Sequence, residues 1–295
     1  MQIKKFQSVN LKGKKVLLRV DFNVPLKKGR IEDDTRMVQA LATFRHLLKQ
    51  KAKIIAVSHL GRPDGKKVAN LKMTQVAKHL SELLKKPVKK LDECIGEKVK
   101  KKIAAMKPGE IIFLENARFY PGEEKNDPKF AKELAGLAEV CVSDSFATAH
   151  RAHATTAGIA KYIPCYAGFL MQKEIENLSS LMPGKNKKDK SKKTHRPLTI
   201  IIGGAKIETK IGIIKNFLAR ADYFLIGGGL ANTFLAAEGF NIGKSLCQED
   251  KISIAQNIML EAEAMGENFV LPEDVIVADE VSEKAKTLHL PIEDV

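Results

Sequence analysis

Short apolar runs alternate with amphipathic segments along the chain. Runs with the length and β-branched content of buried strands lie at 16–20 (VLLRV), 54–58 (IIAVS), 110–114 (EIIFL) and 139–143 (EVCVS), and a shorter one lies at 87–91. Between them, apolar residues recur at helical spacing after 33–35, at 72–86, at 97–107 and after Asp127. This alternation predicts a mostly parallel, doubly wound α/β sheet.

The same alternation resumes in the second half, with strands expected at 198–202, 223–226 and 275–278 and helices at 206–219, 230–238 and 248–265. Because 295 residues exceed a typical single core, two domains are expected. We therefore predict two doubly wound, Rossmann-like parallel-sheet lobes. An N-terminal lobe would cover 1–168, an interdomain helix 169–182, and a partial C-terminal lobe 183–295.

Basic residues follow the predicted strands of the first half. Arg36 comes shortly after strand 16–20, whereas Arg62, Arg118 and Arg151 lie in the loops after the next three long strands, and His59 and His150 accompany them. Ligands of parallel α/β sheets bind beyond the carboxyl ends of the strands. Since a guanidinium can hold carboxylate or phosphate with two hydrogen bonds, we expect a crevice for a small phosphorylated acid.

The net charge of +15 leaves a nucleic-acid binder open as an alternative function. The Lys-rich segment 185–193 contributes +5 of it, and the remaining +10 is spread over ordinary amphipathic helices without aromatic interleaving. We therefore expect no specific nucleic-acid partner. Four widely spaced cysteines without a C-x-x-C pair are typical of reduced thiols in a cytoplasmic protein. We also expect no membrane partner, since no apolar run approaches a membrane span.

Two glycine-rich turns follow strands of the second half, at 203–206 (GGAK) and 227–229 (GGG). Glycine lets a backbone approach phosphate, and a helix N-terminus offers free N–H groups. Lys206 and Lys210 are expected to share a helix face and to reach the same anion. Spacing excludes two familiar motifs, because 239–245 is one residue short of a P-loop and 227–232 lacks the third glycine of a dinucleotide fingerprint.

Six segments together resemble phosphoglycerate kinase, in the order typical of that family. They are RVDFNVP at 19–25, SHLGRP at 58–63, LENARF at 114–119, TAHRAH at 148–153, GGAK at 203–206 and GGGLANTF at 227–234. The resemblance implies a two-lobed glycolytic kinase that moves a phosphoryl group between 1,3-bisphosphoglycerate and ADP, giving 3-phosphoglycerate and ATP, with Mg²⁺ bound to the nucleotide. It also implies a monomer in which helix 169–181 connects the lobes.

The resemblance further implies a set of site residues. The phosphoglycerate side would comprise Asp21, Phe22, Asn23, Arg36, His59, Leu60, Gly61, Arg62, Arg118 and Arg151. The nucleotide side would comprise Gly204, Lys206, Lys210, Gly228 and Gly229. Arg36, Lys206 and Lys210 would be the catalytic residues, since phosphoryl transfer depends mainly on positioning and positive charge. Arg19 lies inside its strand and is expected to be structural, while His150 and His153 are given no acid–base role.

The sequence departs from the family pattern in three places. Asp144–Thr148 reads DSFAT where the family has DAFGT, the Lys-rich 185–193 segment resembles a surface insertion, and the later Asn-Gly-Pro and Gly-Gly-Gly-Asp-Thr segments are not found before Val295. We therefore expect an incomplete second lobe. The alternative function is a phosphoglycerate-binding protein that does not transfer phosphate.

Overall fold

The computed structural model describes residues 3–181, 197–218, 220–266 and 268–295. The chain divides into two compact units, Met1–Met182 and Pro183–Val295. The Lys-rich segment 185–193 lies outside the described residues.

Within residues 3–181, the described part of the first unit, there are eight strands and six α-helices. The strands are β1 Lys15–Val20, β2 Leu26–Lys27, β3 Arg30–Ile31, β4 Lys53–Val57, β5 Val88–Lys90, β6 Ile111–Phe113, β7 Val140–Asp144 and β8 Cys165–Ala167. The helices are α1 Thr35–Lys49, α2 Thr74–Leu84, α3 Glu97–Ala104, α4 Pro121–Glu124, α5 Pro128–Ala135 and α6 Phe169–Ser180.

Six of these strands form one parallel sheet in the order β5-β6-β4-β1-β7-β8. Side chains alternate between its two faces, so Val16 and Leu18 join one hydrophobic core while Leu17 joins the other. Each face is covered, which is why the central strands consist of near-continuous apolar residues. The predicted doubly wound parallel sheet is confirmed, and the bounds of its predicted strands differ from the observed ones by at most one residue.

Three short strands of the first unit were not predicted. β8 contains only Cys165, Tyr166 and Ala167, and extends the sheet beside β7. β2 and β3 form a two-residue antiparallel hairpin.

The second unit contains the strands β9 Thr199–Gly203, β10 Tyr223–Gly227, β11 Asn268–Val270, β12 Asp274–Ala278 and β13 Thr287–Pro291. Its helices are α7 Glu208–Phe217, α8 Gly228–Glu238 and α9 Ile252–Ala264. β11, β10 and β9 form a three-stranded parallel sheet, in that order. One face of this sheet packs into a core that contains Ile202, Phe224 and Phe234.

The strand predicted at 275–278 does not join the parallel sheet. It forms β12 and pairs antiparallel with β13. The third parallel strand is instead the short β11, in which only Phe269 packs against the core. The hydrophobic pattern of β12 is the stronger one, which explains the wrong assignment.

Helix α7 begins at Glu208, whereas the pattern predicted a start at 206. Lys206 therefore precedes the helix, so the argument that Lys206 and Lys210 share a helix face is wrong. Among the residues that the structure describes, no helix is long and apolar enough to cross a membrane.

Candidate functional site

The loops that carry the predicted substrate residues meet at one edge of the first sheet. β6, β4, β1 and β7 are consecutive neighbours and run parallel, so their carboxyl ends lie side by side. The segments that follow them contain Asp21, His59, Arg118 and Arg151.

Asp21 and Arg36 form an ion pair at this edge. Arg36 Nη1 lies 2.7 Å from Asp21 Oδ2, and the Arg36 side chain is 50% exposed while that of Asp21 is 9% exposed. Arg36 is the second residue of α1, so the start of that helix determines its position. Asn23 is held nearby, since its Oδ1 accepts a 2.8 Å hydrogen bond from Gly61 N.

Phe22 and Leu60 contribute backbone rather than side chains to this edge. The Phe22 ring is fully buried and stacks with Phe44 and Phe113 at centroid distances of 6.2 and 6.0 Å. Leu60 belongs to the same hydrophobic core. The implied substrate contacts of these two residues are therefore limited to their main chain, because each side chain points into the core.

Arg118 is the most enclosed of the four predicted site arginines, with 4% of its surface exposed. Its Nη1 donates to Gly61 O at 2.9 Å, and its Nε lies 3.2 Å from Glu124 Oε1. Burial lowers the pKa of Arg118; Glu124 opposes this shift, whereas the nearby charges of Arg151 and Arg62 add to it. Arg62 and Arg151 thus act on Arg118 electrostatically, which indicates one cluster of cations.

His59 lies inside this cluster and is 4% exposed. Burial lowers the pKa of its imidazole to about 2, and the charges of Arg19, Arg118 and Arg151 act in the same direction. His59 is therefore neutral at physiological pH and adds a polar ring, rather than a positive charge, to the site.

Arg19 is 1% exposed and uses its guanidinium inside the protein. Its Nε donates to Thr155 Oγ1 at 2.9 Å, its Nη1 donates to Val20 O, and its Nη2 lies 3.2 Å from His59 Nδ1. Alternation along β1 explains this placement, since Leu17 and Arg19 share a face. The expected structural role of Arg19 is supported by these bonds.

Two further residues hold the site but were missed in the sequence. The Asn116 amide donates to Leu60 O and Leu71 O at 2.8 and 3.0 Å, so it fixes the loop that carries His59 and Arg62. Glu123 is buried and accepts hydrogen bonds from Thr155. Asn116 lies within the LENARF segment at 114–119, which singles it out, whereas no periodicity marks Glu123.

The two glycine-rich turns of the second unit lie against each other. β9 ends at Gly203 and β10 at Gly227, and these two residues are register partners. Leu230 N donates to Gly204 O at 2.6 Å. A Cβ on Gly228 would lie 3.5 Å from Gly204 N, and φ is +143° at Gly204 and +63° at Gly228. Glycine is needed here both for backbone conformation and for close approach.

Lys210 lies beside these turns, because a Cβ on Gly204 would be 3.3 Å from Lys210 Cε. Lys206 is exposed in the loop between Gly204 and α7. The turns after β9 and β10 and the N-terminus of α8 offer backbone N–H groups, and the two lysines add positive charge beside them, a combination that suits phosphate.

Comparisons with known proteins decide the family. The sequence model described as phosphoglycerate kinase matches residues 6–295. The chain belongs to the phosphoglycerate kinase family. It is 54% identical over 278 residues to a curated phosphoglycerate kinase of Dictyoglomus turgidum (strain DSM 6724 / Z-1310), an alignment that covers 94% of this chain and 68% of that relative.

Two solved phosphoglycerate kinases are similar in structure as well. The protein from Coxiella burnetii superposes with a TM-score of 0.81 at 40% identity, over 99% of this chain and 72% of the other. The protein from Pyrococcus horikoshii OT3 superposes with a TM-score of 0.80 at 30% identity, over 98% of this chain and 71% of the other. This family consists of kinases, which are nucleotide-binding transferases of glycolysis.

Proposed function

We propose that this chain moves a phosphoryl group between 1,3-bisphosphoglycerate and ADP, giving 3-phosphoglycerate and ATP, in the cytoplasm. The observation that carries the proposal is the cluster of cations at the strand ends of the first unit. Arg118 is enclosed there and affected by the charges of Arg62 and Arg151. Among the described residues, neither Arg62 nor Arg151 has an ion-pair partner, so their charges are available to an anionic ligand.

In this proposal the first unit binds the phosphoglycerate. Arg62, Arg118 and Arg151 hold its phosphate and carboxyl groups, His59 donates a hydrogen bond, and Asp21 and Asn23 bind the glycerate hydroxyl. The backbone of Phe22, Leu60 and Gly61 completes the loop. Arg36 is half-exposed, and its bond to Asp21 occupies one Nη. Its other donors can therefore follow the phosphoryl group that is transferred.

The second unit would bind the nucleotide on Gly204, Gly228 and Gly229, with Lys206 and Lys210 on its phosphates. Among the described residues, no group of three or more His, Cys, Asp and Glu could hold a metal ion. Mg²⁺ therefore fits best as an ion that arrives with ADP or ATP, where it would neutralise phosphate charge. The residues of this chain contribute positive charge and position, since transfer to an ionised carboxylate needs no general base.

A coupled assay of ATP consumption with 3-phosphoglycerate tests this function on the whole chain. If Arg36→Ala lowers kcat and changes KM little, the result would support the proposed function. It would mean that Arg36 acts in the transition state rather than in substrate binding. Arg45→Ala is the matched control, since Arg45 is exposed on α1 about 13 Å further along the helix.

If the chain shows no turnover, calorimetry with 3-phosphoglycerate tells whether it still binds this ligand. Binding without turnover would favour the alternative of a phosphoglycerate-binding protein. A folded chain that shows neither turnover nor binding would refute the proposal.

A further inference from the structure

Arg19 is a buried guanidinium without a direct ion-pair partner among the described residues. A buried charge is costly unless it is paired and hydrogen-bonded. Glu123 is a buried carboxylate, 1% exposed, whose negative charge acts on Arg19. The two groups are joined through one hydroxyl, that of Thr155.

The bonds in this connection have a fixed direction. The Thr155 hydroxyl donates to Glu123 Oε1 at 2.5 Å and accepts from Arg19 Nε at 2.9 Å. Thr155 N also donates to Glu123 Oε2 at 3.0 Å, so both carboxylate oxygens are occupied. Since the carboxylate only accepts and the guanidinium only donates, the Thr155 hydroxyl cannot be reversed.

The same logic extends to His59. Arg19 Nη2 lies 3.2 Å from His59 Nδ1, and because the guanidinium has no acceptor, Nδ1 must accept. In a neutral imidazole the proton is then on Nε2. Among the described residues, none accepts a hydrogen bond from Nε2, so this N–H is available to a ligand.

We propose that Glu123 is a positioning residue for the phosphoglycerate site, which acts through Thr155 and Arg19 to hold the His59 ring with its Nε2–H toward the ligand. This proposal rests on the proposed function. Glu123 contacts no ligand in it. The chain of hydrogen bonds determines which ring nitrogen carries the proton. Burial keeps the ring neutral, and the surrounding charges of Arg19, Arg118 and Arg151 add to that effect.

The test compares Thr155→Val with Thr155→Ser in the full chain. Valine has nearly the shape of threonine without the hydroxyl, whereas serine keeps the hydroxyl. Glu123→Gln removes the charge, and Glu133→Gln is its matched control because Glu133 is exposed on α5. Nitrogen-15 NMR of the His59 ring reports the tautomer without ligand, and calorimetry gives the affinity for 3-phosphoglycerate.

We expect the wild type and Thr155→Ser to hold the Nε2–H tautomer. Thr155→Val and Glu123→Gln should show mixed tautomers and bind 3-phosphoglycerate about 5–10-fold more weakly, the equivalent of one lost hydrogen bond. An Nδ1–H tautomer in the wild type, or no change in Thr155→Val and Glu123→Gln, would overturn the positioning role. If the tautomers behave as expected but the wild type binds no 3-phosphoglycerate, the proposed function fails and the hydrogen-bond chain stands.

Discussion

The two units treat the faces of their parallel sheets differently. In the first unit, residues of both faces of β1 and β4 are buried, as Ile54 and Ile55 illustrate. In the second unit, Ile202 lies in the core while Ile201, its neighbour in β9, is 78% exposed. Tyr223 of β10 and Val270 of β11 are also exposed on that open face.

The two candidate anion sites differ in the same way. The first is made of side chains that neighbouring groups hold in place, such as Arg118 with Glu124 and the buried Arg19 with Thr155. The second is made of backbone at glycine turns, with an exposed lysine, Lys206, beside them. A substitution near the first site should therefore affect folding and binding together, whereas one at the second should affect mainly binding.

The largest expected effect concerns a matched pair of isoleucines. Ile55→Ala in β4 removes a fully buried side chain and should cost about 2–5 kcal/mol of unfolding free energy. Ile201→Ala in β9 should change stability by less than about 0.5 kcal/mol, because the side chain is already in solvent. The urea dependence of hydrogen exchange, followed by mass spectrometry on peptides from each unit, measures both. Equal losses would show that the two faces are equally protected.

A matched pair of glycines gives the next effect. A Cβ on Gly168 would lie 2.7 Å from Asp144 Cβ, and Asp144 is fixed by its bond to Met171 N. Gly168→Ala should therefore cost about 2–3 kcal/mol, the upper part of the range for overpacking. Gly212→Ala within α7 meets nothing within 4 Å and should stabilise by about 0.5–1 kcal/mol. The same hydrogen-exchange experiment measures both changes in unfolding free energy. If Gly168→Ala leaves the unfolding free energy unchanged, this part of the core can move.

The pH dependence of the first unit provides a third comparison. The pKa of His59 is about 2 when folded and near 6.5 when unfolded, so below pH 6.5 the unfolded chain binds a proton that the native protein does not. The contribution of the neutral His59 to the unfolding free energy is therefore fully present above about pH 6.5, and it is lost as the pH decreases below that value. When the pH is lowered from 7 to 5, this residue alone should reduce the unfolding free energy by about 2 kcal/mol.

Unfolding of the wild type and His59→Asn at both pH values isolates that contribution. The variant should lose about 2 kcal/mol less than the wild type over this interval, while the second unit should respond identically in both proteins. An equal pH dependence of the first unit in both proteins would show that His59 takes up its proton as readily in the folded state as in the unfolded chain.

The sequence predicted the parts of this molecule that depend on periodicity. The buried strands β1, β4 and β7 are long apolar runs, and their basic loops follow from the rule that parallel strands end together. The short β8 and β11 were not predicted.

The charged interior could not be predicted either. Arg19 resembles any polar interruption of a strand, and Glu123, to which it is connected through Thr155, is more than 100 positions away in a short acidic turn. Only the tertiary structure brings Thr155 between them. The start of α7 also involves a tertiary contact, because Ile207 N donates to the side-chain oxygen of Gln248, which lies 41 positions further along the chain.

In the proposed function each unit holds its own ligand, and a crossed binding experiment can separate the two sites. Calorimetry on the full chain would measure how tightly 3-phosphoglycerate and MgADP bind to the wild type, to Arg118→Ala and to Lys210→Ala. We predict that Arg118→Ala weakens 3-phosphoglycerate binding by about 1.5–3 kcal/mol and leaves MgADP unchanged, whereas Lys210→Ala weakens only MgADP. Binding of 3-phosphoglycerate that is unaffected by Arg118→Ala, or equally reduced by Lys210→Ala, would contradict the account.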